Sequence, residues 1–341
     1  MQKRVKKKII YVGFSFNQHG NHSGYDYIKN VVPYDIIINC QKGFDFQQRL
    51  AKKGGIFAYF YFKLFGSRLW GAEVRCLFYT LFNKNLIFHF IYAEKTYRYL
   101  GYLKGKSNEI VCTFHQPPDF FESNPVSLKG AKFIDKIIVM SSNMVEPMQK
   151  YFAKSKFYFI PHGVDTTYFM PNFKTKGKRV LMVGDWLRNF EFANTVFQEV
   201  LSINNFIEIC VVSNKDNHKF FNKHDRLFLL TNMSDDSLLD LYQTSAILFL
   251  PLIKFTANNA LLEGGACGCS IMIATDQQMD KCYIDRKFID ILPQDTQLVT
   301  DKIIELLNKN SISENSDLME YIKERYDWRL IGKFTKETLL E

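Results

Sequence analysis

The sequence has no apolar stretch of the roughly 20 residues needed to span a bilayer, although 47% of its 341 residues are hydrophobic. It also has no recognisable secretory leader. The basic segment MQKRVKKK is followed by IIYVGFSF, which is too short for a leader and runs directly into a polar turn that contains glycine. From these absences we expect a cytoplasmic protein that is soluble or attached to the inner face of a membrane only peripherally.

The cysteines are scattered and odd in number, and their spacing fits neither a disulfide framework nor a zinc cluster. The seven cysteines are Cys40, Cys76, Cys112, Cys210, Cys267, Cys269 and Cys282. Cys267 and Cys269 have no second Cys or His pair beside them, which argues against a metal centre. No Asp-x-Asp motif follows a strand, and Asp235 and Asp236 are interpreted as helix caps. We therefore expect reduced thiols, no metal and no tightly bound cofactor.

Acidic residues are outnumbered by basic ones, at 35 against 44, which gives a formal net charge of +9. Such a surface attracts polyanions, and these could be nucleotide phosphates, anionic lipid head groups or nucleic acid. Charge alone does not choose among them. The length favours two domains over one.

Short apolar runs alternate with helical segments along the whole chain. Examples are IIYVGFSF, NLIFHFIYA and EIVCTF in the first half, and RVLMV, FIEICVV, AILFLPLI and SIMIAT in the second. Runs of this kind are typical of strands buried on both faces of a parallel sheet. The polar segment near Pro171 to Lys178 is predicted to link the halves. The pattern predicts an α/β protein with Rossmann-like domains at 1–170 and 171–320.

The stretch from Tyr242 to Thr275 is the most informative part of the chain. A helix is predicted between the strands AILFLPLI and SIMIAT, and side-chain oxygens of Thr256, Asn258 and Asn259 favour its start. The N–H groups of this first turn, through Ala260 and Leu261, would point out of the carboxyl edge of the sheet, where anions are favoured. The alternative is an ordinary crossover helix without a ligand.

This stretch resembles the donor-binding segment of retaining, nucleotide-sugar-dependent glycosyltransferases of the GT-B type, especially family four. The matching residues are Leu261, Leu262, Glu263, Ala266, Cys267, Gly268 and the strand from Ser270. The resemblance implies that Glu263 accepts the hydroxyl groups of the nucleotide ribose. The family's first acid is missing, because its position falls on Phe255 beside Lys254. The resemblance also implies a cleft between the domains and a terminal helix, 321–341, that crosses back to the first domain.

Two further segments match the family with substitutions. The segment PHGVD resembles the family's Pro-Asn-Gly-Val-Asp, with His162 in place of Asn. The turn after RVLMV carries Gly184 and then Asp185, where the family has Gly-Arg and a later Lys. Arg188 is the only cation left in that loop, and a guanidinium can bind phosphate bidentately. We assign Gly184, Asp185 and Arg188 to donor binding, and the alternative for Arg188 is an ordinary surface side chain.

The first half supplies two more candidates. Its opening strand leads into NQHGNHSGYD, where Ser23 and Gly24 stand at the family's glycine pair, which approaches the donor phosphates or the acceptor. We expect His19 and His22 to form hydrogen bonds rather than bind a metal. His115 ends the strand EIVCTF on a Pro-Pro turn, and the resemblance implies that it contacts the transferred sugar. The alternative is a core histidine.

The resemblance implies transfer of a hexose from a UDP- or GDP-sugar to a glycan or lipid-linked acceptor, with retention and without metal. His115, Arg188 and Glu263 are then the expected catalytic residues. An inverting reaction would need a base, for which His22, Asp26 or Asp119 could serve. Two other functions remain open. One is a catalytically degenerate protein that serves as a binding or partner subunit, and the other is a nucleic-acid glucosyltransferase.

The segment IFAYFYFKLFGSRLW combines aromatic residues with basic ones at short intervals. It fits an amphipathic surface that lies on an anionic membrane. It equally fits a core segment whose lysines form a solvated face. Stacking on bases of a single-stranded nucleic acid is a third interpretation.

Overall fold

The computed structural model describes residues 7–16, 20–65, 69–123, 128–172, 176–254, 257–278, 280, 282–309 and 315–341. The chain forms two compact units. The first unit comprises residues 1–17, 24–161 and 331–341, and the second comprises residues 18–23 and 162–330. The units therefore divide between Pro161 and His162, earlier in the chain than the predicted boundary at residue 170. Part of the predicted linker, residues 173–175, lies outside the described residues.

The first unit contains a six-stranded parallel sheet in the order β2-β1-β3-β4-β5-β6. Its strands are β1 (Lys8–Gly13), β2 (Ile36–Asn39), β3 (Leu86–Phe90), β4 (Glu109–Phe114), β5 (Lys136–Val139) and β6 (Lys156–Phe159). Its helices are α1 (Gln41–Lys53), α2 (Gly55–Phe65), α3 (Trp70–Phe82), α4 (Ala93–Thr96), α5 (Asp119–Ser123) and α6 (Val145–Gln149). The strand order reverses between β1 and β3.

The second unit contains another six-stranded parallel sheet, in the order β12-β11-β10-β7-β8-β9. Its strands are β7 (Gly177–Val183), β8 (Glu208–Val212), β9 (Leu227–Leu230), β10 (Ser245–Pro251), β11 (Ser270–Ala274) and β12 (Ile289–Leu292). The later helices are α7 (Phe190–Ile203), α8 (Asp235–Thr244), α9 (Asn259–Ala266), α10 (Thr296–Lys309), α11 (Ser316–Tyr326) and α12 (Trp328–Leu340). This is the strand order of Rossmann domains.

Strand β10 shows why the apolar runs fold as buried strands. All seven of its residues are buried. Alternate side chains pack on opposite faces: Leu248 and Leu250 pack in the core that includes α8, α9 and α11, and Ile247 and Phe249 pack in the core with α7 and α10. A strand covered on both faces must be apolar throughout. The predicted α/β architecture with two Rossmann-like domains is confirmed.

Several predicted helices differ in detail. The glycine turn after β1 is followed by a 3₁₀ helix of six residues, Tyr25–Asn30. The single terminal helix is two helices, α11 and α12, because Asp327 has a ψ of 134° and interrupts the turn. Trp328 begins α12 and is buried against Gly163, where an added Cβ would lie 2.4 Å from the indole. The glycine of the PHGVD segment is therefore required by packing.

Among the described residues, no helix combines the length and the apolar character that a membrane crossing requires.

Candidate functional site

The candidate site lies at the carboxyl edge of the second sheet, where the strand order reverses between β7 and β10. Backbone hydrogen bonds join the loops that follow these two strands. Asn189 N donates to Pro251 O at 2.9 Å, and Ile253 N donates to Leu187 O at 3.0 Å. Open α/β sheets bind their ligands at such a reversal, outside the carboxyl ends of the strands. The predicted donor loop and the loop before α9 therefore form one local structure.

Arg188 lies in this pair of loops and is half-buried. Its Nη1 donates to Trp186 O at 3.0 Å, and its Nη2 donates to Val183 O at 3.2 Å. Its Nε is buried and has no hydrogen-bond partner among the described residues. Burial lowers the pKa of Arg188 to about 10, so the guanidinium is still a cation at neutral pH. Arg188 therefore places a positive charge in the donor loop, where an anionic ligand is favoured.

Gly184 leaves room for the Arg188 side chain beside the backbone of the donor loop. Its φ is 109°, a conformation that side-chain-bearing residues rarely adopt. A Cβ added to Gly184 would lie 3.0 Å from Nη2 of Arg188. The glycine of the predicted donor loop is therefore needed both for its backbone conformation and for the close approach of the guanidinium.

Asp185, the next predicted donor residue, is bonded within its own unit. Its Oδ1 accepts hydrogen bonds from Asn214 N at 2.6 Å and from Asn217 Nδ2 at 2.9 Å. Its Oδ2 accepts from Asn214 Nδ2 at 2.7 Å. In the structure Asp185 thus orders the loop after β7, and a direct contact with the donor stays a prediction.

The start of α9 confirms the predicted cap. Asn258 is the N-cap, and its Oδ1 accepts a hydrogen bond from Leu261 N at 3.1 Å. The N–H groups of Asn259 and Ala260 form no hydrogen bond within the part of the chain that the structure describes. Leu261 is fully buried, so it supports the helix start by packing. Of the other two residues expected to favour this start, Asn259 is the first residue of α9, and Thr256, like Phe255, lies outside the described residues.

Glu263 follows one turn later and is buried, at 5% exposure. Its Oε1 accepts a hydrogen bond from Ser23 Oγ at 2.6 Å, and its Oε2 accepts one from Tyr242 OH at 3.0 Å. Burial raises the pKa of Glu263, and the two hydroxyl donors act in the opposite direction. Tyr242 also interacts electrostatically with Arg188. The predicted carboxylate and the predicted cation therefore share one neighbour.

The glycine-rich loop from the first strand contributes residues 20–23 to this unit. Asn21 N donates to Asp235 Oδ2 at 2.7 Å, and an added Cβ on Gly20 would lie 1.4 Å from Oδ1 of the same carboxylate. His22 Nδ1 lies 2.8 Å from Asp165 Oδ2. These contacts place Ser23 next to Glu263. The donor or acceptor contact predicted for Ser23 and Gly24 stays a prediction, and His19 lies outside the described residues.

Gly24 and His115 belong to the first unit. Gly24 has a φ of 92°, which a glycine adopts without strain, and it precedes the 3₁₀ helix. His115 follows β4 directly, as predicted. Its Nε2 lies 2.8 Å from Ile91 O and so must carry the proton, which leaves Nδ1 as an acceptor. Burial lowers the pKa of His115, so a neutral imidazole is favoured.

Aromatic rings surround His115. Tyr25 and Tyr92 each have ring centroids 4.7 Å from the imidazole. Glu94 accepts hydrogen bonds from the backbone N–H groups of His115 and Gln116, which fixes the turn after β4. The residue is therefore held by its neighbours, and its predicted contact with a sugar stays a prediction.

The acidic pair at the start of α8 is not the cap that the sequence predicts. The N-cap is Ser234, whose side chain accepts from Ser237 N. Asp235 instead binds the 20–23 loop, and Asp236 accepts a hydrogen bond from Tyr168 OH at 2.8 Å. Within the described ranges, no three His, Cys, Asp or Glu side chains are grouped so that they could hold a metal ion.

Tyr242 and Asp165 are the site residues that the sequence does not single out. Tyr242 lies 21 positions before its partner Glu263, and no local pattern joins them. Asp165 does carry a signal, because it ends the PHGVD segment. Its role in binding His22 depends on a contact between residues 143 positions apart.

The architecture is the GT-B fold, with two Rossmann-like domains in one chain. Solved structures with this fold match the chain over almost its whole length. Sucrose-phosphate synthase from Thermosynechococcus elongatus gives a TM-score of 0.67 at 13% identity, covering 97% of this chain and 98% of that one. A glycosyltransferase from Rickettsia africae gives 0.67 at 14% identity, covering 98% of both chains.

HepE from Anabaena, whose structure was solved in complex with UDP and glucose, gives a TM-score of 0.70 at 14% identity. The match covers 98% of this chain and 100% of that chain. No protein-family model matches the sequence, and no curated protein matches it. The structural likeness confirms the GT-B fold that the resemblance predicts.

Proposed function

We propose that the protein is a glycosyltransferase that moves a hexose from a nucleotide sugar to a glycan or a lipid-linked acceptor. One observation carries the proposal: Arg188, the start of α9 and Glu263 lie around the strand reversal of the second sheet. Solved structures of similar fold add support, because HepE was solved with UDP and glucose, and the pneumococcal O-GlcNAc transferase GtfA was solved with UDP and GlcNAc.

The donor diphosphate would bind to Arg188 and to the N–H groups of Asn259 and Ala260. These N–H groups lie at the positive end of the α9 dipole, which favours an anion. Glu263 would accept the ribose hydroxyl groups. Both of its oxygens already accept hydroxyl hydrogen bonds, so the carboxylate is oriented for this kind of partner.

The reaction would retain the configuration of the sugar. The bond between the anomeric carbon and the phosphate oxygen breaks, and a bond from the acceptor oxygen forms on the same face. The acceptor proton passes to the departing phosphate, so no protein base is needed. Arg188 and the dipole of α9 would stabilise the charge that develops on the leaving group, without metal. The resemblance assigns His115 to the transferred sugar.

A second candidate is a catalytically degenerate GT-B protein that binds a nucleotide or a partner chain. It is favoured by Asp185, which stands where the family has a cation and whose carboxylate is engaged by Asn214 and Asn217. The first acid of the family is also absent from the sequence, as Lys254 precedes Phe255. This candidate predicts nucleotide binding without turnover.

A mass-spectrometric screen separates the two candidates. Purified protein is incubated with UDP-glucose, UDP-galactose, UDP-N-acetylglucosamine or GDP-mannose, with and without mixed glycan and lipid acceptors. We expect release of UDP or GDP from one donor, and loss of that release in Arg188→Ala. Binding of a nucleotide with no turnover of any donor would favour the degenerate protein, and no binding at all would contradict both candidates.

A further inference from the structure

Helix α2 exposes most of its apolar side chains. Ile56 is 77% exposed, Phe57 66%, Tyr59 61% and Leu64 74%. Folded proteins rarely leave contiguous apolar patches of this kind in water unless the patch binds a partner. The interpretation of this segment as core is therefore wrong for these residues, because each of them is at least 61% exposed.

Contacts with α1 attach the helix to its unit. Ala58 is buried, and the ring of Tyr61 contacts that of Phe46 in α1 at 5.6 Å between centroids. Gln47 Nε2 also donates to Tyr61 OH at 3.3 Å. A parallel crossover needs only one helix to return the chain, but β2 and β3 are connected by α1, α2 and α3. Helix α2 is thus not needed to close this crossover.

Helix α3 also exposes apolar side chains. Val74, Phe78, Leu81 and Phe82 are 40%, 60%, 65% and 83% exposed. Their spacing of three to four residues places Val74, Phe78 and Leu81 on one side of the helix. The opposite side is buried and includes Ala72 and Cys76. Helix α3 is therefore anchored on one face and apolar on its exposed face.

The charges around these helices are almost all positive. On α1, Lys42, Arg49, Lys52 and Lys53 are exposed at helical spacing, and Lys63 on α2 is exposed as well. The sequence of α1 to α3 contains two acidic residues, Asp45 and Glu73. Asp45 accepts a hydrogen bond from Gln41. Glu73 is buried and accepts hydrogen bonds from three consecutive backbone N–H groups, starting at Arg98.

We infer that α1, α2 and α3 form a docking surface for an anionic phospholipid bilayer, named here the crossover surface. The crossover surface comprises Phe46, Arg49, Lys52, Lys53, Phe57, Phe60, Lys63, Leu64, Phe78 and Phe82. Aromatic and aliphatic side chains enter the interfacial region, and lysines at the edge attract anionic head groups. A second copy of this chain is disfavoured as the occupant, because the positive charges would then face one another.

Vesicle binding tests this inference. The full chain is sedimented with vesicles of phosphatidylcholine alone or of phosphatidylcholine mixed with phosphatidylglycerol, at rising salt. We expect binding to the anionic vesicles that weakens with salt. Lys52→Ala with Lys53→Ala should weaken it about 30-fold. The triple variant Phe57→Ser, Phe60→Ser, Leu64→Ser should weaken it at least about 100-fold, because three exposed anchors are lost.

Matched controls lie on the second domain. Phe206 is 82% exposed, so Phe206→Ser removes an equally exposed ring, and Lys215→Ala with Lys223→Ala removes two exposed lysines. Both controls should bind vesicles as the wild type does, and circular dichroism should show all variants folded. Equal binding by the triple variant and the wild type would overturn the inference. The inference would also be overturned if the wild type were a dimer, the triple variant were a monomer and neither protein bound vesicles.

Discussion

Each sheet reverses its strand order once, the first between β1 and β3 and the second between β7 and β10, and the two reversals present different chemistry. In the first sheet, Gly13 ends β1 so close to Ile91 that an added Cβ would lie 2.4 Å from it. Beyond this point Phe14 stacks on Phe44 at 4.2 Å, and His115 is neutral and held among rings. At the reversal of the second sheet lie the cation Arg188, the start of α9 and the carboxylate of Glu263. The two edges therefore differ in the groups that they present, and we propose that the first faces an uncharged group and the second an anion.

The largest expected effect is on nucleotide affinity, through Arg188 at the edge of the second sheet. Arg188→Ala removes a charged donor whose hydrogen bonds to phosphate contribute about 1.5–3 kcal/mol. We therefore expect UDP or GDP affinity, measured by isothermal titration calorimetry, to fall roughly 10- to 150-fold. Arg286→Ala, which removes an exposed arginine of the same unit, is the control and should bind as the wild type does. Unchanged affinity in Arg188→Ala would place the diphosphate elsewhere.

At the edge of the first sheet, a substitution of His115 should reduce turnover and leave nucleotide affinity unchanged. His115→Asn removes an imidazole acceptor but keeps a donor for Ile91 O, so we expect a loss in turnover of up to about tenfold, the size of one neutral hydrogen bond. Nucleotide affinity should not change. Because the pKa of His115 is lowered, the wild-type rate should show no titration of this group above its usual pKa of about 6.5. Weaker nucleotide binding in His115→Asn would contradict the assignment of nucleotide binding to the second sheet alone.

A smaller effect is expected on stability. The pKa of Glu263 is raised by burial, so above the unfolded-state pKa of about 4.3 the charged carboxylate lowers the free energy of unfolding. Glu263→Gln removes this cost. The variant should melt at an equal or higher temperature at pH 7, and the difference should vanish as the pH falls below about 4. A large loss of stability at pH 7 would make Glu263 a structural residue.

Local patterns predict most of the fold and part of the site. The strands β10 and β11 follow from uninterrupted apolar runs, and the Asn258 cap follows from a side chain that bonds two or three residues ahead. Contacts across long chain distances have no such signal. Ser23 meets Glu263 across 240 positions, so no spacing rule could reveal it. The exposure of α2 could not be predicted either, because an aromatic run has the same sequence whether it is buried or exposed.

The account depends on a ribose contact by Glu263, and a comparison of ribose with deoxyribose tests it most directly. Calorimetric titration of UDP and 2′-deoxy-UDP, or of the guanosine pair, into wild type and Glu263→Gln gives the coupling between the carboxylate and the 2′-hydroxyl. The account predicts that the wild type prefers the ribonucleotide by roughly 10-fold or more and that Glu263→Gln loses this preference. The same preference in both proteins would contradict it.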